Sequence, residues 1–288
     1  MKIFQKMNAN PLFSVLMANY NNGRYLQEAI DSVLEQSYPN WEIILVDDKS
    51  TDNSFEIYEK YKDDSRFHIY HNERNMGCGY TKRRCVELAN GEICGFLDSD
   101  DALLPDALEK HVGKHLERQD CSCVFSRYYD CDESFNIIGE SRLLQLSEGE
   151  SYLTHRQYCP EHLCSFKKSA YGQTEGISID LRLGVDQDLY YKLEEVGPVC
   201  VLDAFTYKYR LHSTNISQDS TNIDVYWNLI ARHRACLRRG IDPSLHTVMD
   251  FVAFQNERFE QGADSVRRSK AYKLGRALLT PFSWIRRR

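Results

Sequence analysis

Along the first 120 residues, short apolar runs alternate with segments whose apolar residues recur every three or four positions. Phe13 to Ala18 reads as a buried strand, and Asn19-Tyr20-Asn21-Asn22-Gly23 as the turn that ends it. Leu26, Ala29, Ile30, Val33 and Leu34 then follow at helical spacing, and Pro39 closes that helix. Trp41 to Val46 predicts a second strand, ending in Asp47-Asp48. Ser50-Thr51-Asp52 offers a cap to a helix whose buried face is Phe55, Tyr58 and Tyr61. Phe67 to Tyr70, Thr81 to Leu88 and Glu92 to Leu97 predict strand, helix and strand in turn. Pro105 sits where a first helical turn tolerates it, ahead of Leu108, Val112 and Leu116. Such alternation predicts an α/β fold with a mostly parallel, Rossmann-like central sheet flanked by helices, in which ligands bind beyond the carboxyl ends of the strands.

The polar clusters fall at those ends: Tyr20-Asn21, Asp47-Asp48 and Asp98-Ser99-Asp100. On an extended backbone Asp98 and Asp100 point one way and Ser99 the other. Two carboxylates side by side repel unless a cation or a ligand's donors lie between them, and hard oxygen ligands suit Mg²⁺ or Mn²⁺. A plainer alternative is a polar strand end that caps the next helix through Asp101. No Gly-x-Gly-x-x-Gly and no Gly-Lys-Ser/Thr loop occurs, which argues against a dinucleotide or P-loop site.

Formal net charge is −6, and the eight Lys and Arg of 265–288, with no Asp or Glu among them, leave the preceding chain at −14. An acidic body argues against nucleic acid as a partner. Ten cysteines lie scattered without Cys-x-x-Cys pairs, so zinc is not expected and free thiols in a reducing compartment are. No apolar run reaches the ~18 residues of a membrane span, so the expectation is a cytoplasmic protein, peripheral at the inner face of the membrane if it meets one. Cationic residues mixed with Phe282, Trp284 and Ile285 are what a helix lying on an anionic bilayer requires, although a helix packed on the body is the equal alternative.

Four stretches, Ser14 to Asn21, Val46 to Ser54, Asn75-Met76-Gly77 and Ala89 to Asp101, resemble in order the motifs of a family 2 glycosyltransferase with the GT-A fold. The resemblance covers about 12–215. It implies an inverting, metal-dependent transfer (Mn²⁺ or Mg²⁺) from a nucleotide-sugar, usually a UDP-sugar, to a hydroxyl of a glycan or lipid-linked acceptor in surface polysaccharide synthesis. Carried over by position, Ala18 and Tyr20 line the base, Asp48 accepts from its imide, Asp98 holds the ribose with Ser99 in the same nucleotide-binding stretch, and Asp100 ligates the metal. Lys82 stands where relatives often carry Arg and would face the phosphates.

The resemblance further places a catalytic helix from Gly184, with Asp186 as the base although Val185 replaces the usual Glu. Asp188, two residues on, would point about 200° away on a helix and cannot share that role. His212 belongs to the closing loop, facing the diphosphate or the metal. The implied organisation is an N-terminal tail (1–11), a nucleotide-sugar-binding half (12–120), an acceptor-binding half (121–217), where periodicity weakens from Val124 to Ser165, and a C-terminal helical extension with the basic tail (218–288). Two rivals stand beside it: a sugar-nucleotidyltransferase, which would be expected to carry a Gly- and Lys/Arg-rich loop at the first strand, and a catalytically inactive nucleotide-sugar-binding module.

Overall fold

The computed structural model describes residues 4, 7–143, 146, 150–154, 162–213, 215 and 223–245. The helical pattern expected over 246–260 and the basic tail 265–288 lie outside the described residues.

The first half alternates as its pattern requires: β1 (Phe13–Asn19), α1 (Gly23–Leu34), β2 (Trp41–Asp47), α2 (Ser54–Tyr58), β3 (Phe67–His71), α3 (Cys78–Leu88), β4 (Ile93–Phe96), β5 (Ala102–Leu103) and α4 (Ala107–Glu117). The second half adds β6 (Cys123–Cys131), β7 (Ile137–Glu140), β8 (Cys164–Lys167), α5 (Lys168–Tyr171), α6 (Val185–Val196), β9 (Val199–Arg210) and α7 (Ile223–Arg238). They form one sheet in the order β3-β2-β1-β4-β8-β6-β9-β5, with β7 on β6. β3, β2, β1 and β4 run parallel, whereas β8 is antiparallel to both β4 and β6. All seven residues of β2 are buried, because helices cover both faces of a parallel sheet and no face is left for water.

Two cores result. Leu16, Ile44, Val46, Phe125, Phe166 and Leu189 fill one side of the sheet, and Val15, Met17, Leu26, Ile30, Ile43 and Leu45 the other. Neighbours in sequence alternate between the two, as the two-residue period of a strand dictates. Because β1 lies between β2 and β4, the order reverses at its carboxyl end, and a crevice opens there.

Three expectations need correction. The helix after Asp48 is only five residues long, and Ile57 and Tyr58 are its inward pair while Phe55 is 60 % exposed. Val124 to Ser165 holds most of strand β6 and the short β7; the second half of β6 mixes polar and aromatic residues, and β7 leaves Ile137 and Ile138 exposed, so neither shows a period. The cysteines are not all free, since Cys121 and Cys200 are disulfide-bonded with Cα atoms 6.0 Å apart. That bond follows from the parallel pairing of β6 with β9, which brings together residues 79 apart in sequence.

Beneath β6, β8 and β9 lie two fully buried histidines. His111 contacts Ser165 Oγ through Nδ1 at 2.7 Å and Ser126 Oγ through Nε2 at 3.2 Å, and His115 Nε2 meets Ser165 Oγ at 2.9 Å. Burial drives His111 down to about 3 and His115 well below its ordinary value, so both are neutral in the folded protein. In the unfolded chain they protonate near pH 6.5. The unfolded state therefore binds more protons as pH falls, and stability is lost from about pH 6.5 downward at roughly 1.4 kcal/mol per pH unit for each histidine. Urea unfolding of the wild type and of His111→Gln at pH 7 and pH 5 checks this, because the variant should lose visibly less over that interval.

Candidate active site

The loop after β1 is held from below so that one ring can face outward. Asn19 is buried and donates through Nδ2 to Tyr58 Oη at 2.7 Å and Ser54 Oγ at 3.0 Å. Asn21 adopts φ 54°, a conformation Asn tolerates, and its Oδ1 accepts from Thr51 N at 2.7 Å. A Cβ on Gly23 would lie 2.7 Å from Ser54 N, so this close approach of two loops requires glycine. Tyr20 is left 49 % exposed over the crevice beside Ala18, and so is not a core-packing residue.

Asp48, at the end of β2, organises the next loop. Its Oδ1 accepts from Asn72 Nδ2 and Met76 N, each at 2.7 Å, and its Oδ2 from Gly77 N at 2.8 Å. Asp47 caps its own turn instead, with Oδ2 accepting from Ser50 N at 3.0 Å and Oδ1 from Tyr58 Oη at 2.7 Å. Asp48 lines the crevice, and its Oδ2, which takes a single N–H, keeps acceptor capacity.

Asp98-Ser99-Asp100-Asp101 is a turn closed by Asp101 N donating to Asp98 O at 3.1 Å, not a continuation of β4. Alternation along a strand therefore does not apply, and Asp98, Ser99 and Asp100 all line the crevice. Ser99 is nearly buried and accepts from Asn22 Nδ2 at 3.1 Å, which ties this turn to the β1 loop. Asp98 Oδ1 lies 3.1 Å from Lys82 Nζ, and Asp100 Oδ2 lies 3.1 Å from His212 Nε2. Burial works against the charge on Asp98, but Lys82 and His162 outweigh it and hold the carboxyl below its usual range. Asp100 is raised instead, first by burial and then by the charge of Asp98.

Oxygen-rich, mutually repelling carboxylates with an imidazole beside them are a donor set that fits a divalent cation, and Asp100 with His212 meets that description. Asp98, Asp101 and His162 also converge, with one ligand atom from each within 4.8 Å of the others. Asp101 is nevertheless structural. It is fully buried, its Oδ2 accepts from Tyr207 Oη at 2.7 Å and its Oδ1 from Arg210 N at 2.8 Å, so each oxygen is bonded to β9.

The opposite wall is the start of α6. Gly184 caps it in the left-handed region at φ 66°, and a Cβ there would lie 2.6 Å from Asn228 Oδ1 and 3.2 Å from the backbone of α7. At the far end of α6, the last residue of α7 and the one after it clamp the helix. Arg239 reaches Glu194 at 2.8 Å, and Arg238 reaches Glu195 at 3.1 Å. Asp188 is wholly buried against Lys192 at 2.6 Å and takes no part in the crevice. Asp186 faces the opening, with its Oδ1 and Oδ2 each 3.0 Å from Lys82 Nζ. Gly184→Ala should cost about 1–2 kcal/mol through its backbone conformation alone. A melting curve will register the loss.

Ala18, Tyr20, Asp48, Lys82, Asp98, Ser99, Asp100 and Asp186 all line one cavity of about 500 Å³. His212 stands behind Asp100, packed against Tyr25 with ring centroids 4.7 Å apart and the planes tilted by 36°. Sequence reasoning missed Tyr128, His162, Gln187, Tyr190 and Tyr209 on the cavity wall. They come from four separate segments: Gln187, Tyr190 and Tyr209 lie within the catalytic-helix and closing-loop stretches without having been singled out, and Tyr128 and His162 stand in no recognisable motif.

A parallel half-sheet with a crevice at its switch point, an acidic turn on one wall and a helix-borne carboxylate on the other define the GT-A class of fold. Residues 14–174 match Glycosyl transferase family 2, and the chain belongs to that family. It is 30 % identical over 207 residues to a chondroitin synthase of Escherichia coli, a match that covers 72 % of this chain and 30 % of that protein. The chain thus spans under a third of that relative's length. Among solved structures it resembles S. aureus TarS 1–349 in complex with UDP-GlcNAc, with a TM-score of 0.63 and 19 % identity over 91 % of this chain and 77 % of that one. It also resembles the mannosyltransferase PcManGT of Pyrobaculum calidifontis in complex with GDP-Man and Mn²⁺, with a TM-score of 0.61 and 14 % identity over 95 % and 85 %. Among the described residues no helix is long and apolar enough to cross a membrane.

Proposed function

We propose that this chain transfers a sugar, a hexose or N-acetylhexosamine, from a UDP-sugar to a hydroxyl of a glycan or lipid-linked acceptor, with inversion, in the synthesis of a surface polysaccharide. One observation carries the reading: Asp186 and Asp98 face each other across the cavity closely enough to share one ammonium, at 3.0 and 3.1 Å. A donor seated over the acidic turn therefore has its reacting end in front of Asp186. The relatives named above, a chondroitin synthase and a TarS holding UDP-GlcNAc, support a polysaccharide product and a uridine donor.

Tyr20 stacks on the base beside Ala18, Asp48 Oδ2 accepts from its imide N–H, and Asp98, with Ser99, holds the ribose. Asp100, with His212 behind it, would hold Mn²⁺ or Mg²⁺, which when bound offsets the charge of the departing diphosphate. Asp186 takes the proton from the acceptor hydroxyl as its oxygen bonds to the anomeric carbon. The bond from that carbon to the diphosphate oxygen breaks on the opposite face, which inverts the centre and releases UDP. A peripheral membrane position through 265–288 belongs to the same reading, and liposome co-sedimentation of the full chain against one lacking 265–288 tests it.

The donor is tested by thermal shift and calorimetry with UDP, GDP and UDP-sugars, each with Mn²⁺ and with chelator. UDP should stabilise the protein and GDP should not. Tyr20→Ala should weaken UDP about 5- to 100-fold, the range expected for the loss of one base-aromatic stack. Equal affinity for UDP in wild type and variant would remove Tyr20 from the base site.

A further inference from the structure

Lys82 has more to do than face a phosphate. Its side chain is 5 % exposed, and its ammonium makes three contacts: Asp186 Oδ1 at 3.0 Å, Asp186 Oδ2 at 3.0 Å and Asp98 Oδ1 at 3.1 Å. The ammonium is thus shared between two carboxylates, with the ring of Phe96 5.0 Å away, and a further anion entering the cavity competes with them for it. Asp186, for its part, has both oxygens engaged by the same nitrogen.

We infer that Lys82 is a gate on the base: it holds Asp186 engaged while the cavity lacks a donor, and turns toward the diphosphate when one arrives, freeing Asp186 to accept the acceptor's proton. The inference rests on the donor reading above and deepens it. A diphosphate carries more charge than a single carboxylate and competes for the ammonium directly. Each oxygen of Asp186 released by Lys82 becomes an open acceptor toward the incoming hydroxyl. Lys82 acts through Asp186 and is a positioning residue in that respect. Buried on the inner face of α3, its charge needs a partner in both states, and the donor supplies the second one.

If Asp186 and the diphosphate compete for Lys82, removing one competitor must help the other. Calorimetric titration of UDP in the presence of Mn²⁺ should find Asp186→Asn binding about tenfold tighter than wild type. In a Lys82→Met background the same Asp186→Asn change should alter UDP affinity less than about twofold. Should Lys82→Met fail to fold, the comparison of Asp186→Asn with wild type still decides, because an unchanged or weaker UDP affinity overturns the gate. Equal tightening in both backgrounds also overturns it, since that is a general charge effect that does not pass through Lys82. No UDP binding by the wild type overturns the donor reading and the gate together, whereas UDP binding without the non-additivity overturns the gate alone.

Discussion

Asp186→Asn lowers sugar transfer by roughly 10²- to 10⁴-fold, the contribution of a positioned general base, while UDP is still bound. The amide has nearly the volume of the carboxylate, and α6 is held at its far end by Arg238 and Arg239, so the helix keeps its place. What the variant lacks is a group able to take a proton at neutral pH. The measurement is the initial rate of UDP release from a UDP-sugar with a polysaccharide fragment as acceptor, beside calorimetric UDP affinity on the same preparations. An unchanged rate would remove Asp186 as the base, and UDP binding with no turnover by the wild type would give the cavity to a binding module without chemistry. A lost rate accompanied by lost UDP affinity would mean that α6 had moved.

Asp100→Asn removes the response to Mn²⁺ and lowers transfer by about 10²- to 10³-fold, the cost of losing one group that stabilises developing charge. Asp100 is raised above the usual carboxylate range because it is buried beside Asp98. Its charge therefore works against the folded state at neutral pH, and the neutral amide should melt no lower than the wild type in chelator. UDP with Mn²⁺ should raise the melting temperature of the wild type well beyond UDP with chelator, and this difference should disappear in the variant. If it persists, the cation is held by other groups.

The alternation of strand and helix to residue 120 was legible because a parallel sheet covered on both faces demands largely apolar strands, and β1 and β2, interrupted only by Ser14 and Glu42 before their polar ends, are such strands. The polar strand ends were legible for the same reason, since charge follows apolar residues abruptly only where a chain leaves a core. The strands after Val124 were not. β6 pairs with β8 and β9 from distant parts of the chain, and its partly exposed second half carries Arg127, Tyr128, Tyr129 and Asp130 in no clear period. Phe55 misled because a helix as short as Ser54–Tyr58 turns too few residues inward for spacing to identify them.

The order of residues already settles which side chains meet the crevice from β1, β2 and the acidic turn, because a strand's end point and the residue that follows it are local properties. Which carboxylate faces which is not local. Lys82, Asp98 and Asp186 belong to a helix, a turn and a second helix as far as 104 positions apart, and they meet because β8 runs back between β4 and β6 and turns α6 toward the switch point. Their shared ammonium is a product of packing: burial strips water from the charge, and a charge without water must find partners wherever the fold has put them.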